Sequence, residues 1–258
     1  MTKDVVLVTK EDDICTITMN RPERKNAMNP QVLHRLCEEF GSIGKDGRTR
    51  AVVLRGASEQ AFSTGYDIAS LRGEGSLDTN RINAAFKAIE DCPVPVIAMI
   101  YGYCIAGGVG IAASCDLRIA ADNAQLGMSF ARLGVIFTTE GTVRFLRLVG
   151  ASTARMMLYT GRLIDAREAL RIGLVDRVTS AGQLPKVTYG LAREIADNAP
   201  LSVMGAKAAI NKLLLYQEPG PEVQAEIAAI RKQVFGSEDR EEGHRAFREK
   251  RKGLYKGR

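Results

Sequence analysis

The spacing of hydrophobic positions changes character near residue 150. Before it, short apolar or alternating runs separate helical stretches; beyond it, nearly everything has helical spacing. Residues 5–8 and 14–19 alternate or run apolar on either side of Glu11-Asp12-Asp13, which predicts a hairpin. Asn29 before Pro30 reads as an N-cap with proline at the first helical position, and Val32, Leu33, Leu36, Phe40 and Ile43 follow at helical spacing. His34 falls off that apolar set and reads as a surface residue. Residues 51–55 predict a short strand, and residues 80–92 a helix with Ile82, Ala85, Phe86 and Ile89 on one face. The apolar run 96–100, between two prolines and Gly102, is too short for a lone helix and predicts a buried strand. After Gly150, helices are expected over 151–160, 165–172, 186–199, 201–216, 221–234 and 239–251, interrupted by a strand near 175–179. Residues 71–77, with Gly73, Gly75 and Ser76, read as a flexible wall segment, and 217–221 as a break between helices.

Two strand-to-helix turns carry glycine. Ala106, Gly107 and Gly108 follow the 96–100 strand and lead into Ile111, Ala112 and Ala113, which suit a closely packed helix. Residues 61–68 (Ala-Phe-Ser-Thr-Gly-Tyr-Asp-Ile) follow the 51–55 strand. A helix start leaves backbone N–H groups unpaired at the positive end of the helix dipole, and glycine lets a ligand oxygen or another backbone come close. Two such turns can aim one N–H each at a single point, the arrangement of an oxyanion hole. Close helix–strand packing with no ligand is the alternative from these residues alone.

The chain resembles the crotonase family, the enoyl-CoA hydratases and isomerases. The motifs that carry the resemblance run nearly end to end: residues 20–28 (Asn-Arg-Pro-Glu-Arg-Lys-Asn-Ala-Met), the turn from Phe62 to Asp67, Gly102 to Asp116, and Glu242-Gly243 to Arg251. The resemblance implies an α/β fold, a spiral of ββα units over residues 1–200, with a C-terminal helical region over 201–258 that makes trimer contacts. It agrees with the strand, strand, helix order through residues 1–140. It implies an acyl-CoA thioester as substrate, a homotrimer or dimer of trimers, and no cofactor beyond the coenzyme A carried by the substrate. The backbone N–H groups of Tyr66 and Gly107 would form the hole, with Tyr66 in place of the usual small residue. Ala27, Phe62, Asp67, Ile68 and Gly108 fall in motif positions beside the substrate; Asp67 reads chiefly as a holder of the turn. Arg24 and Lys25 would meet the coenzyme A phosphates, and Phe247 and Lys250 its nucleotide.

The chemistry after enolate formation is less regular. By the same resemblance, the two glutamates of a hydratase fall on Gly110 and Phe130. Glu140 is the remaining nearby acid; an isomerase acid, counted without gaps, falls on Thr138, two residues earlier. One acid suffices to move a proton between Cα and Cγ, so double-bond isomerisation with Glu140 is the favoured expectation. An atypical hydratase or hydrolase, or a non-catalytic acyl-CoA binder, are the alternatives, and Glu140 as a helix-capping carboxylate is the plain structural one. Tyr66, Phe130 and Phe137 hint at an acyl pocket for a cyclic or aromatic group.

Composition narrows the classes. At 258 residues and 45% hydrophobic, the chain can bury one sizeable core. It contains no run of about 18 apolar residues, so no membrane span is expected. Residues 1–4 lack the plan of a secretion signal, and a cytoplasmic location is expected. The five cysteines have no C-x-x-C spacing and only two histidines are present, so reduced thiols and no metal cluster are expected. Cys104 and Cys115 read as small core residues, Asp116 and Asp122 as structural acceptors, and His244 as surface. The net charge of +6 concentrates from Arg240 onward, with eight basic residues against three acidic. No nucleic-acid motif accompanies that surplus and aromatics are few, which disfavours nucleic acid as a partner.

Overall fold

The computed structural model describes residues 4–43, 45, 47–70, 79–215, 221–251 and 253–254. The segment 71–77 and most of the 217–221 break lie outside the described residues. Four ββα turns succeed one another. The first is β1 (Val6–Glu11), β2 (Ile14–Met19) and α1 (Pro30–Ser42); the second is β3 (Ala51–Gly56), β4 (Ala61–Ser63) and α2 (Thr79–Glu90). The third is β5 (Val96–Ile100), β6 (Tyr103–Ile105) and α3 (Gly107–Ser114), and the fourth β7 (Leu117–Ala121), β8 (Gln125–Gly127) and α4 (Thr139–Thr160). After these come β9 (Leu163–Asp165), α5 (Ala166–Arg171), β10 (Arg177–Thr179), α6 (Leu184–Ala196), α7 (Pro200–Leu215), α8 (Pro221–Phe235) and α9 (Glu238–Arg248).

Each turn after the first gives one strand to each of two sheets. The larger runs β1-β2-β3-β5-β7-β10, and the smaller β4-β6-β8-β9. The β1–β2 hairpin is antiparallel, while β2, β3, β5, β7 and β10 pair in parallel. A parallel sheet must be covered on both faces, and every residue of β5 is accordingly buried. Val53, Ile97, Met99 and Ile119 pack with Leu184 and Ala192 of α6 on one face. Val52, Leu54, Val96, Ala98 and Ile100 face the main core with Leu33, Leu36, Phe86 and Val109 on the other. Burying one such side chain is worth roughly 1.5–3 kcal/mol, so the fold rests on these two faces.

The cap read at Asn29 is present: its side chain accepts from the Val32 N–H at 2.9 Å, with Pro30 opening α1. Thr138 caps α4 through its hydroxyl, which accepts from the Gly141 N–H at 3.0 Å, so the helix begins at residue 139 with Glu140 in its first turn, the place the capping reading gave that carboxylate. Gly150, at φ 73 and ψ 165, is non-helical and divides α4 into two segments across a kink, the second of them the helix expected over 151–160.

The last helix docks on the loop that leads into α4. A Cβ on Gly134 would lie 2.4 Å from the Arg240 Cα, and one on Gly243 2.6 Å from the Leu133 carbonyl carbon, so the two main chains touch through paired glycines. Glu242, only 6% exposed, accepts from Arg251, Arg245 and the Leu254 N–H and ties Arg251 and Leu254 back onto α9. Arg251 foremost, then the Leu254 N–H and Arg245, hold its carboxyl well below the usual carboxylate range. A depressed folded-state pKa contributes stability that is full above the unfolded value of about 4.3 and declines as pH falls below it. Glu242→Gln is therefore expected to melt below the wild type at pH 7, with the gap narrowing as melts are repeated toward pH 3; a gap that is constant with pH would contradict this account.

Candidate active site

The turn after β4 is clamped by the residue 20–28 segment. The Met28 N–H donates to the Gly65 carbonyl at 2.7 Å, and the Asp67 N–H donates to the Met28 carbonyl at 2.8 Å. In that parallel bridge the intervening residue, Tyr66, sends its own N–H to the opposite side. Asn26, buried and at φ 54, donates to the Ala61 carbonyl at 2.8 Å and accepts from the Arg21 N–H at 3.1 Å. The Arg21 guanidinium reaches the Ala27 carbonyl at 2.6 Å and Asp67 at 2.8 Å. Asp67 thus holds the turn.

On the far side of Tyr66 stands the start of α3. Ala106 adopts φ 50 and ψ −112, its N–H donates to the Gly127 carbonyl at 2.8 Å, and Gly107 opens the helix. A Cβ on Gly107 would lie 3.4 Å from the Tyr66 nitrogen, and one on Gly65 3.0 Å from the Gly107 nitrogen. Gly108 explains how the two segments come so close: its Cβ would sit 2.2 Å from the Ser63 carbonyl oxygen, so α3 rests directly on β4. Neither the Tyr66 nor the Gly107 N–H has an acceptor among the described residues. Two unpaired donors lining one cavity, one of them at a helix start, can hold an oxyanion.

That cavity, of about 600 Å³, is lined by Arg24, Lys25, Ala27, Tyr66, Asp67, Ile68, Gly107, Phe130, Phe137 and Phe247 among others. Phe130 stacks on Phe137 with centroids 4.8 Å apart, and Phe86 meets Phe137 edge-on at 6.2 Å. A Cβ on Gly110 would lie 2.5 Å from the Phe86 ring and 3.0 Å from the Phe137 ring, so aromatic carbon fills the space any side chain there would need. At the mouth, the Lys25 ammonium lies 4.9 Å from the Tyr103 ring centroid.

A family model described as "Enoyl-CoA hydratase/isomerase" matches residues 9–258. The chain belongs to the enoyl-CoA hydratase/isomerase family. It is 36% identical over 256 residues to the short-chain-enoyl-CoA hydratase of Clostridium acetobutylicum, covering 96% of this chain and 95% of that one. It is 33% identical to the (E)-benzylidenesuccinyl-CoA hydratase of Thauera aromatica, covering 98% and 99%. Among solved structures, methylmalonyl-CoA decarboxylase complexed with 2S-carboxypropyl-CoA superimposes with a TM-score of 0.92 at 27% identity, covering all of both chains. An enoyl-CoA hydratase/carnithine racemase from Magnetospirillum magneticum gives 0.80 at 32% identity, covering 100% of this chain and 97% of that one.

Within this family frame, four expected site residues stand apart from the cavity. Phe62 is fully buried in the core, with no face toward the cavity. Gly108 serves the α3–β4 contact, not the cavity lining. Lys250 is exposed beyond the end of α9 and does not line the cavity. Glu140 lines a second cleft, where its carboxylate accepts from the Asn83 amide at 2.6 Å. Thr138, two residues earlier, is the one that lines the cavity. Asp67 is the carboxylate among the described lining residues.

One residue moves the other way. His244, expected at the surface, lines the cavity mouth together with Phe235 and Phe247. Burial first, then Arg240 and Arg248, lowers its pKa and favours the neutral ring. Its position depends on the Gly134–Gly243 contact, which no local pattern announces; its spacing three residues from Phe247 is the signal that places both on one helix face. The remaining polar candidates are structural. Asp116 accepts from the Val96 N–H and Lys207, and Asp122 from the Ala181 N–H. Cys104 and Cys115 are buried thiols whose pKa values burial raises.

Gly108→Ala tests the hole without touching a lining side chain. The added methyl must push α3 away from Ser63 and carry the Gly107 N–H out of line with that of Tyr66. Turnover is expected to fall by ~10²–10³, the cost of losing one oxyanion donor, with the loss in kcat more than in KM. Unchanged kcat in a folded variant would show that the spacing of the two amides is not critical.

Proposed function

We propose that this chain transforms an acyl-CoA thioester through an enolate held by the Tyr66 and Gly107 amides, and that it reaches the enolate by decarboxylating a 2-carboxyacyl-CoA. The observation that carries the reading is the aromatic wall beside the hole, where Phe86 and Phe137 fill the space at Gly110 and Phe130 stacks on Phe137. Hydration needs carboxylates to activate water and return a proton, and those two positions are the ones the resemblance assigns to them. Decarboxylation needs none. The bond from Cα to the carboxylate carbon breaks, its electron pair moves into the thioester carbonyl, carbon dioxide leaves, and Cα later takes a proton from water.

The apolar wall favours the same step. A substrate carboxylate against phenylalanine rings loses solvation, while the charge after bond breaking sits on the thioester oxygen between two N–H donors. The likeness to the methylmalonyl-CoA decarboxylase structures, at TM-scores of 0.91 and 0.92, supports this reading. Arg24 and Lys25 at the mouth offer cations for the coenzyme A phosphates, and Phe247 an aromatic face for its nucleotide, with Lys250 just beyond it. The trimer or dimer of trimers belongs to the same proposal: α7 leaves Leu201 at 82% and Leu213 at 68% exposure, apolar surface suited to a further copy.

A second reading is double-bond isomerisation with Glu140 as proton carrier. Its support is that the Glu140 side chain is held by one solvent-exposed hydrogen bond to Asn83, a contact of low net worth. Rotation past Thr138 would then bring the acid toward Cα and Cγ. Incubation with 2-carboxyacyl-, 3-enoyl- and 2-enoyl-CoA, followed by mass spectrometry, separates the readings. The expected result is loss of carbon dioxide from the first substrate at equal rates in wild type and Glu140→Gln. Conjugation of the 3-enoyl thioester that vanishes in Glu140→Gln would establish isomerisation instead; water addition to the 2-enoyl thioester would establish hydration; binding without turnover would leave a binder.

A further inference from the structure

The last proton of the proposed reaction has to reach the Cα of the enolate, and few groups on the cavity wall can give one. Asp67 is a carboxylate paired with Arg21 at 2.8 Å, an acceptor. Arg24 and Arg132 are guanidiniums, which do not deprotonate in proteins. The Lys25 ammonium lies over the Tyr103 ring at the mouth. Thr64, Thr79, Ser129 and Thr138 carry aliphatic hydroxyls, far weaker acids than a phenol. His244 lines the mouth from α9, and the neutral ring that burial first, then Arg240 and Arg248, favour there is a poor acid too. The phenol of Tyr66 remains.

That side chain is half-buried, packs against the main core and lines the cavity. Its hydroxyl makes no hydrogen bond among the described residues and is not shielded from solvent. A phenol ordinarily titrates near ~10, against about 15.7 for bulk water, which makes it the stronger acid by roughly five orders of magnitude. Its direction fits as well. Tyr66 is bridged to Met28 as in a parallel sheet, so its N–H lies in the plane of that pairing and its side chain stands roughly perpendicular to it. Donors to a carbonyl oxygen prefer the plane of the C=O and its substituents. An enolate held by the Tyr66 and Gly107 amides therefore lies near the plane of those donors, and the Tyr66 side chain leaves toward one of its faces. Carbon takes its proton through a face, and Cα is two bonds from the oxygen that the Tyr66 N–H holds.

We propose that the Tyr66 phenol is the acid that protonates Cα, so that one residue holds the enolate oxygen through its backbone and quenches the carbon through its side chain. The proposal rests on the enolate reading given above. The enolate electron pair forms the new Cα–H bond as the phenolic O–H breaks. The phenolate then recovers a proton from water, and the hydroxide left behind takes up the released carbon dioxide as bicarbonate. Water remains the net proton source, while Tyr66 fixes the face that receives the proton.

Decarboxylation of methylmalonyl-CoA in D2O tests this on the full chain, with the configuration at C2 of the monodeuterated propionyl-CoA as the readout. The wild type is expected to give a single enantiomer. Tyr66→Phe keeps the backbone amide and should still release carbon dioxide, with the label now racemic; His244→Gln should leave the configuration intact. Should Tyr66→Phe fail to fold, Tyr66→Leu serves the same test. Racemic label from the wild type, a single enantiomer from a folded Tyr66 variant, or loss of configuration in His244→Gln alone would overturn the proposal and leave decarboxylation standing. A folded Tyr66 variant that releases no carbon dioxide would also overturn it, since the phenol acts after that step. No carbon dioxide from the wild type would overturn the decarboxylation reading and this proposal with it.

Discussion

Two main-chain N–H groups held next to each other without a partner are an expensive thing for a protein to keep, and much of this fold serves to keep them. Met28 occupies the other edge of the Tyr66 turn, Arg21 binds the Ala27 carbonyl and Asn26 the Ala61 carbonyl, and Gly108 lets α3 sit on β4. Ala106 takes a positive φ to bring Gly107 to the right place, a strain of order 1–3 kcal/mol for a residue with a Cβ. That cost is offset by the strands on either side, since β5 is buried throughout and β6 is paired with both β4 and β8. Strain in a loop between rigid elements is held in place, whereas the same strain in a free loop would relax.

The second constraint is steric. Phe86, Phe130 and Phe137 come from α2, the loop before α4 and the residue ahead of the α4 cap, and they meet in one stack beside the hole. Their contact with Gly110 means that the wall and the α3 helix were settled together: a side chain at 110 and an aromatic at 137 exclude each other. The C-terminal helix then closes the mouth by resting on Leu133 and Gly134, which lie between Phe130 and Phe137 of that aromatic wall. The aromatic wall of the cavity and the C-terminal helix are therefore packed onto the same short loop, so a change in one is felt by the other within a few residues.

Local rules explain which parts of this were legible in the sequence. The buried strand at 96–100, the Asn29–Pro30 cap and the two glycine turns depend on neighbours in the chain, and periodicity and turn chemistry read them well. The family motifs carried the ββα order and pointed to the Tyr66 and Gly107 amides, whose segments lie side by side. Side-chain direction was not legible. Phe62 and Gly108 sit inside motif stretches yet serve the core and the α3–β4 contact, because adjacent positions on a strand or helix face opposite ways. His244 was missed because its place depends on a tertiary contact between two glycines more than a hundred residues apart in the chain.

Glu140 shows the same limit most sharply and leads to the last point. α2 presents Ile82 and Phe86 to the thioester side and Asn83 and Lys87 to the opposite side; at the start of α4 the cap Thr138 lies on one side and Glu140 on the other. The two helices are a partition one layer thick, and a single residue step moves a side chain from one compartment to the other. An acid two positions from a family acid site therefore lands in a different chemical environment, among arginines and amides instead of phenylalanines. This is why a near match in sequence carries so little weight at a helix start, where a shift of two residues turns a side chain by more than half the circumference of the helix. The partition also lets a polar cleft and an apolar cavity share one wall, with each helix face matched to its own compartment and neither forced to bury a charge without a partner nearby, except at Arg147.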